Sequence, residues 1–182
     1  MAAFRQRFPE VAIGLEDLPS ERQYQLLLQG ELQAGFVRLP VNTPLCGVAL
    51  LSDRLVLAAP GALALRADDL MARFNLLPLL QLTPKRGRGL SDQSLRFIAA
   101  HRLTPNVVQQ AGDIQTLLAL VAAGVGVALL PHSITHIAPA GIDILPLSGE
   151  ETEWQVGIAW DPQRTDALRD NFIQTALAVQ RA

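Results

Sequence analysis

The chain has 182 residues, 49% of them hydrophobic and 18% charged, with a formal net charge of −2. That size and apolar content suit one ordinary domain or two small lobes, and they exclude intrinsic disorder for most of the chain. The 15 basic residues are matched by 17 acidic ones, which argues against direct contact with nucleic acid, because phosphate binding needs a basic face.

Cys46 is the single cysteine. It can build no internal disulfide framework and reads as a small buried residue in a reducing compartment. No apolar segment follows the early charges Arg5 and Arg7, as a secretory leader would require. The longest apolar run, Leu117 to Pro131, is broken by Gly124 and Gly126 and is shorter than the ~20 residues that span a bilayer. The expectation is a soluble, cytoplasmic protein with no membrane contact.

Apolar periodicity alternates between two and 3.6 along the chain. Val11, Ile13 and Leu15 predict a strand over Glu10 to Glu16. Ser20 with Gln23 forms a capping-box pattern ahead of a helix carrying Tyr24, Leu27 and Leu28 and ending at Gly30. Gln33 to Val37 and Leu55 to Ala59 read as strands, separated by a loop that includes Pro40 to Pro44. Beyond Pro60 come a connector (Gly61 to Leu65), a short helix (Ala67 to Arg73) and a buried strand (Leu76 to Leu82). A basic glycine-rich loop, Pro84 to Gly89, precedes a helix from Ser91 to Arg102. Asn106 to Gln109 is a strand, and Asp113 caps a helix with Ile114, Leu117, Leu118 and Val121 that stops at Gly124. Val125 to Leu130, Ile142 to Leu147 and Trp154 to Trp160 are strands, and Thr165 to Gln180 is a closing amphipathic helix.

This alternation predicts an α/β fold with a largely parallel sheet. Apparent joints near Pro60 and near Leu147 to Glu151 suggest two lobes linked by two crossing segments. Ligands in such folds sit at strand ends and lobe junctions.

Several polar features could carry chemistry in such a fold. PKRGRGLS, Pro84 to Ser91, holds Lys85, the single lysine, with Arg86 and Arg88. Between a strand and a helix it reads either as a carboxylate site at a helix N-terminus or as a solvated basic turn. The lysine precedes the glycines, so it is not a phosphate loop. AAGVGVALLP, Ala122 to Pro131, closes a helix and opens a strand, the reverse of a dinucleotide fingerprint. His132 and His136 have helical metal-ligand spacing, but Ser133 stands where a metalloprotease has glutamate and no third ligand is near, so no metal is expected. Glu150 and Glu151 read as solvated, and Glu16 with Asp17 sit at a strand end, where a carboxylate reads equally well as a base or as a surface group. No nucleophile–base arrangement or GxSxG motif is present, so no catalytic residue is assigned. Arg38 ends a strand, where its guanidinium suits a carboxylate or serves in a salt bridge.

Five pieces in order carry a family resemblance: FRQRFPEVAIGLED (Phe4 to Asp17), SERQYQLLLQGELQAGFVRLP (Ser20 to Pro40), DRLVLAAPGALAL (Asp53 to Leu65), GDIQTLLALVAAGVGVALLPHSI (Gly112 to Ile134), and the strand and helix from Val156 to Gln180. The sequence resembles the effector-binding domain of LysR-type transcriptional regulators. The resemblance implies two Rossmann-like α/β lobes joined by two crossover segments, like type-2 periplasmic binding proteins. Lobe I would be residues 1–59 plus 148–182, and lobe II residues 60–147. It further implies a small-molecule effector, bound in the cleft by Val37, Arg38, Gly89, Leu90 and Ile114. The individual basic cluster adds Lys85 and Arg88 and favours an anionic effector. No cofactor is implied. DNA would be contacted through an N-terminal winged helix-turn-helix absent from this sequence, and the domains would pair as a homodimer or higher homo-oligomer. The family's first lobe-I strand and the polar loop after it also have no counterpart here. A transport solute-binding protein of the same fold is the alternative.

Overall fold

The structure, a computed structural model, describes residues 1–180, without the side chains of residues 84–88. The first elements are α1 (Ala2–Arg7), α2 (Ser20–Gln29), β1 (Gly35–Arg38), β2 (Cys46–Pro60), α3 (Ala67–Arg73), β3 (Pro78–Leu82) and α4 (Pro84–Ala100). They are followed by β4 (Asn106–Ala111), α5 (Ile114–Ala122), β5 (Val127–Pro131), β6 (Ile142–Pro146), β7 (Glu153–Trp160) and α6 (Ala167–Gln180). The chain divides into two compact units. The first comprises Met1–Ser52 with Gln155–Ala182, and the second comprises Asp53–Trp154. The two passages between units therefore run within β2 and β7.

In the first unit β1 pairs antiparallel with β7, Gly35 opposite Ala159 and Arg38 opposite Val156. The start of β2 lies on the other side of β7. Leu27, Val37, Leu45 and Ala159 form one buried group, and Leu50, Ile158 and Ile173 another. Helix α2 differs from the capping-box expectation. Pro19 stands at its N-cap without a side-chain bond, and the Gln23 amide nitrogen donates to the Leu18 carbonyl at 2.8 Å. Gly30 ends the helix at φ +79°, a left-handed conformation that suits a residue without a Cβ.

Residues Glu10 to Glu16 do not form the expected strand. Their apolar alternation is intact, but a strand exists only as part of a hydrogen-bonded ladder, and no described strand pairs with this segment. Leu15 is left 72% exposed. The sheets also correct the expectation of a largely parallel arrangement. In the second unit β3 pairs in parallel with β4 and β5, whereas the end of β2 pairs antiparallel with β5 and β6. The mixture arises because β2, entering from the other unit, runs against the strands it joins.

Around β3 the second unit buries Leu55, Leu57, Phe74, Leu80, Phe97, Leu117 and Leu130. Helix α4 starts at Pro84, not Ser91, so the expected loop Pro84 to Gly89 is its first turns. Proline is preset for the first helical position. Each helical glycine costs about 1 kcal/mol, and the burial of Leu90, Phe97 and Ile98 offsets that. Cys46 is exposed at the start of β2, not buried as its residue type suggests.

Candidate functional site

Because β3, β4 and β5 are parallel neighbours, their carboxyl ends at Leu82, Ala111 and Pro131 point the same way. Open α/β sheets bind ligands at that edge. Helix α4 leaves the end of β3 through Thr83, and α5 leaves the end of β4 through Gly112 and Asp113. Thr83 links the two exits, with its backbone N–H and its hydroxyl both donating to the Ala111 carbonyl, at 2.8 and 3.1 Å. The Ser91 hydroxyl adds a bond to the Leu82 carbonyl at 3.2 Å, which fixes α4 against β3.

The two helix starts are electrostatically different. At α5 the Asp113 carboxylate accepts from the Thr116 N–H at 2.8 Å and from the Thr116 hydroxyl at 2.9 Å. A carboxylate of the chain itself thus caps that helix. Helix α4 has Thr83 at its N-cap, whose side chain makes no cap hydrogen bond. Its first-turn N–H groups and dipole end can therefore serve an anion.

Gly89 is partly exposed on α4, and Leu90 is 8% exposed within the core of the second unit. Ile114 opens α5 and is half-buried against that core. The side chains of Lys85 and Arg88 lie outside the described residues. In this unit the fold therefore brings Gly89, Leu90 and Ile114 onto two helices whose starts are tied together.

Val37 and Arg38 belong to β1 of the first unit. Val37 is 1% exposed, and its side chain packs with Leu27, Leu45 and Ala159. Arg38 is half-buried, and its carbonyl accepts the Tyr24 hydroxyl at 3.1 Å. Burial raises the Tyr24 pKa above the ordinary phenol value, and the nearby Glu21 charge raises it further, against a lowering bond to Ser20. The neutral phenol is the form that donates to β1.

Sequence reasoning missed three positioning residues: Tyr24, Thr83 and Asp53. The Asp53 carboxylate accepts from the Ser133 N–H at 3.3 Å and the Ser133 hydroxyl at 2.7 Å, tying β2 to the turn His132–His136. The bonds made by Tyr24, Thr83 and Asp53 to Arg38, Ala111 and Ser133 cross 14, 28 and 80 positions, distances at which local patterns carry no signal. Glu151, expected to be solvated, is half-buried and paired with His101. Among the described residues no group of three His, Cys, Asp or Glu is placed to hold a metal, and no buried side-chain polar atom lacks a partner.

Two α/β units, the second with two helix starts at strand carboxyl ends, have the fold of the type-2 periplasmic-binding-protein class. The LysR substrate binding domain model matches residues 1–181, and the chain belongs to that family. Relatives include the probable cat1 operon transcriptional activator of Acinetobacter lwoffii, 34% identical over 143 residues covering 73% of this chain and 45% of that protein. The regulator AlsR of Bacillus subtilis is 29% identical, covering 93% of this chain and 57% of its own. The chain spans about half the length of the curated relatives it matches. The structure of the BenM effector binding domain with its effector benzoate has the same fold, at TM-score 0.83 and 21% identity, covering 99% of this chain and 83% of that one. These relatives are named as transcriptional regulators, which favours the regulator reading over a transport solute-binding protein. Among the described residues no helix is long and apolar enough to cross a membrane.

Proposed function

We propose that this chain is the effector-sensing part of a bacterial transcriptional regulator and binds a small carboxylate. The carrying observation is the Thr83–Ala111 link, which sets the uncapped start of α4 beside α5 at the carboxyl ends of β3 and β4. Gly89, Leu90 and Ile114 supply contacts from the second unit, with Lys85 and Arg88 adding positive charge. From the first unit Arg38 supplies the guanidinium, and Val37 fixes the strand that carries it. No cofactor or catalytic residue is part of this reading. The ligand acts by preferring one conformational state over another, because only differential affinity can shift an equilibrium. DNA is contacted by a domain outside these residues, the protein works in the cytoplasm, and the binding domains pair as a homodimer or higher homo-oligomer.

Benzoate, the effector in the same-fold BenM structure, is the first probe. Calorimetry with benzoate and small aliphatic carboxylates on the chain and on Arg38→Ala tests the reading. Loss of the charged contact weakens binding by roughly 1.5–3 kcal/mol. Equal affinity for the two proteins removes Arg38 from the site, and failure of every carboxylate to bind overturns the anion reading.

A further inference from the structure

The chain passes from β6 to β7 through Leu147 to Thr152, and its last four residues there, Gly149 to Thr152, include no hydrophobic residue. Little apolar surface holds this turn in place. It is stiff in itself, because the Thr152 N–H and hydroxyl both donate to the Gly149 carbonyl, at 3.0 and 2.7 Å. The residues flanking it are anchored in the second unit, Leu147 within the core and Trp154 half-buried against it.

Helix α4 packs on the turn and grips it from outside. Gln93 Nε2 donates to the Glu151 carbonyl, and about two helical turns further on His101 Nε2 lies 2.9 Å from the Glu151 carboxylate. Gln93 and Thr152 are two of the six buried polar or charged residues among the described residues, and both belong to this seam. A seam closed by directional bonds and not by apolar area opens at a local cost, since water replaces each bond as it enters. Gly149 supplies a pivot, with φ +128° and ψ 148°, a region that glycine alone occupies without strain.

We infer that Gly149 to Thr152 form a strap that lifts from α4 as one piece while the core of the second unit stays folded. Glu153 begins β7, which carries one of the two passages between units, so lifting the strap loosens the chain beside that passage. The second unit thereby holds a two-state element whose closed form is kept by Gln93 and, more weakly, by His101.

The test is thiol labelling of the 182-residue chain with an aromatic disulfide reagent, in a Cys46→Ser background because Cys46 is exposed. Thr152→Cys puts a thiol on the strap, at a position 2% exposed, and Val121→Cys puts one in the core on α5, at 0%. Each is labelled only when its site opens. The expected result is labelling at position 152 faster than at 121 by about tenfold or more, at a rate flat in urea below the unfolding transition, because lifting the strap exposes little surface. Labelling at 121 should rise steeply with urea. Adding Gln93→Leu should raise the flat rate at 152 by about tenfold, and His101→Ala, which removes the exposed hook, should raise it less. Were the Gln93 contact still made in the opened state, its loss would speed only the urea-dependent labelling. One rate and one urea slope for both thiols overturns the inference. So does a flat rate at 152 that Gln93→Leu leaves unchanged; if that variant does not fold, His101→Ala decides the same comparison. No ligand enters the labelling, so its failure leaves the carboxylate reading standing.

Discussion

Nε2 of His101 lies 2.9 Å from Oε1 of Glu151, tying the end of α4 to the turn that leads into β7. The Gln93 amide nitrogen, from the same helix, donates to the Glu151 carbonyl, while the Gln93 amide oxygen accepts from Arg96 at 2.7 Å. The two contacts differ in solvent access. Gln93 is buried, whereas the His101 and Glu151 side chains keep 32% and 22% of their exposure. His101→Ala should therefore cost no more than about 1 kcal/mol. Gln93→Leu strands a carbonyl and should cost about 1–3 kcal/mol. Urea unfolding of the two variants checks the order, and equal losses would contradict it.

Tyr24 is the single tyrosine, so its ionisation can be followed directly by phenolate absorbance. Its pKa is raised above 10.0 by burial first and by Glu21 second. Above the unfolded phenol value the folded state keeps a proton that the unfolded state releases, so stability falls as pH rises. The contribution is complete below the unfolded pKa and is lost as pH passes through the folded one. Tyr24→Phe should flatten this alkaline loss and cost about 0.5–1.5 kcal/mol at neutral pH. A midpoint at or below that of a free phenol would refute the burial argument.

The two glycines of the Ala122–Pro131 segment do different work. Gly124 has φ +79°, and no described atom lies within 4 Å of the place an alanine methyl would take, so Gly124→Ala meets backbone strain alone, about 1–2 kcal/mol. Gly126 has no such φ. A Cβ there would run into the Pro78 carbonyl oxygen, with Leu80 Cγ at 3.2 Å, in the packed centre of the second unit. Gly126→Ala must push β3 and β5 apart and should cost more, roughly 1–3 kcal/mol or beyond. Thermal unfolding of both variants compares the two mechanisms, and the reverse order would count against the register of β3 and β5.

Asp113 caps α5 through both Thr116 contacts. Asp113→Ala should lower stability by about 0.5–2 kcal/mol. The same change removes a negative charge next to the uncapped start of α4, so carboxylate affinity should rise or hold while stability falls. Calorimetry and urea unfolding on one variant separate the effects. A parallel loss of both would mean that the cap positions Ile114 for binding.

Much of the fold was legible because it follows from local patterns. The 3.6 period marked α2, α5 and α6, and continuous apolar runs marked β3 and β5. Gly30 and Gly124 stopped their helices because they sit at positive φ. Five ordered motifs carried the family, and the family model covers residues 1–181. What local pattern could not supply was partnership. Val11, Ile13 and Leu15 alternate as a strand does, yet a strand needs a neighbour's peptide groups, and none of the described strands offers them. Pro84 to Gly89 has loop composition, yet packing of Leu90, Phe97 and Ile98 extends α4 back to Pro84. Cys46 has a buried residue type and an exposed position. The same limit holds for the site. Arg38, Gly89, Leu90 and Ile114 could be named from the sequence, but the contacts that place them, Tyr24 on β1 and Thr83 on Ala111, join segments far apart along the chain. By itself the sequence determined the order of elements and the family, since both rest on short-range periodicity and motif. Tertiary structure alone decided which strand edges are paired and which helix starts lie together, because each depends on hydrogen bonds between residues that only folding makes neighbours.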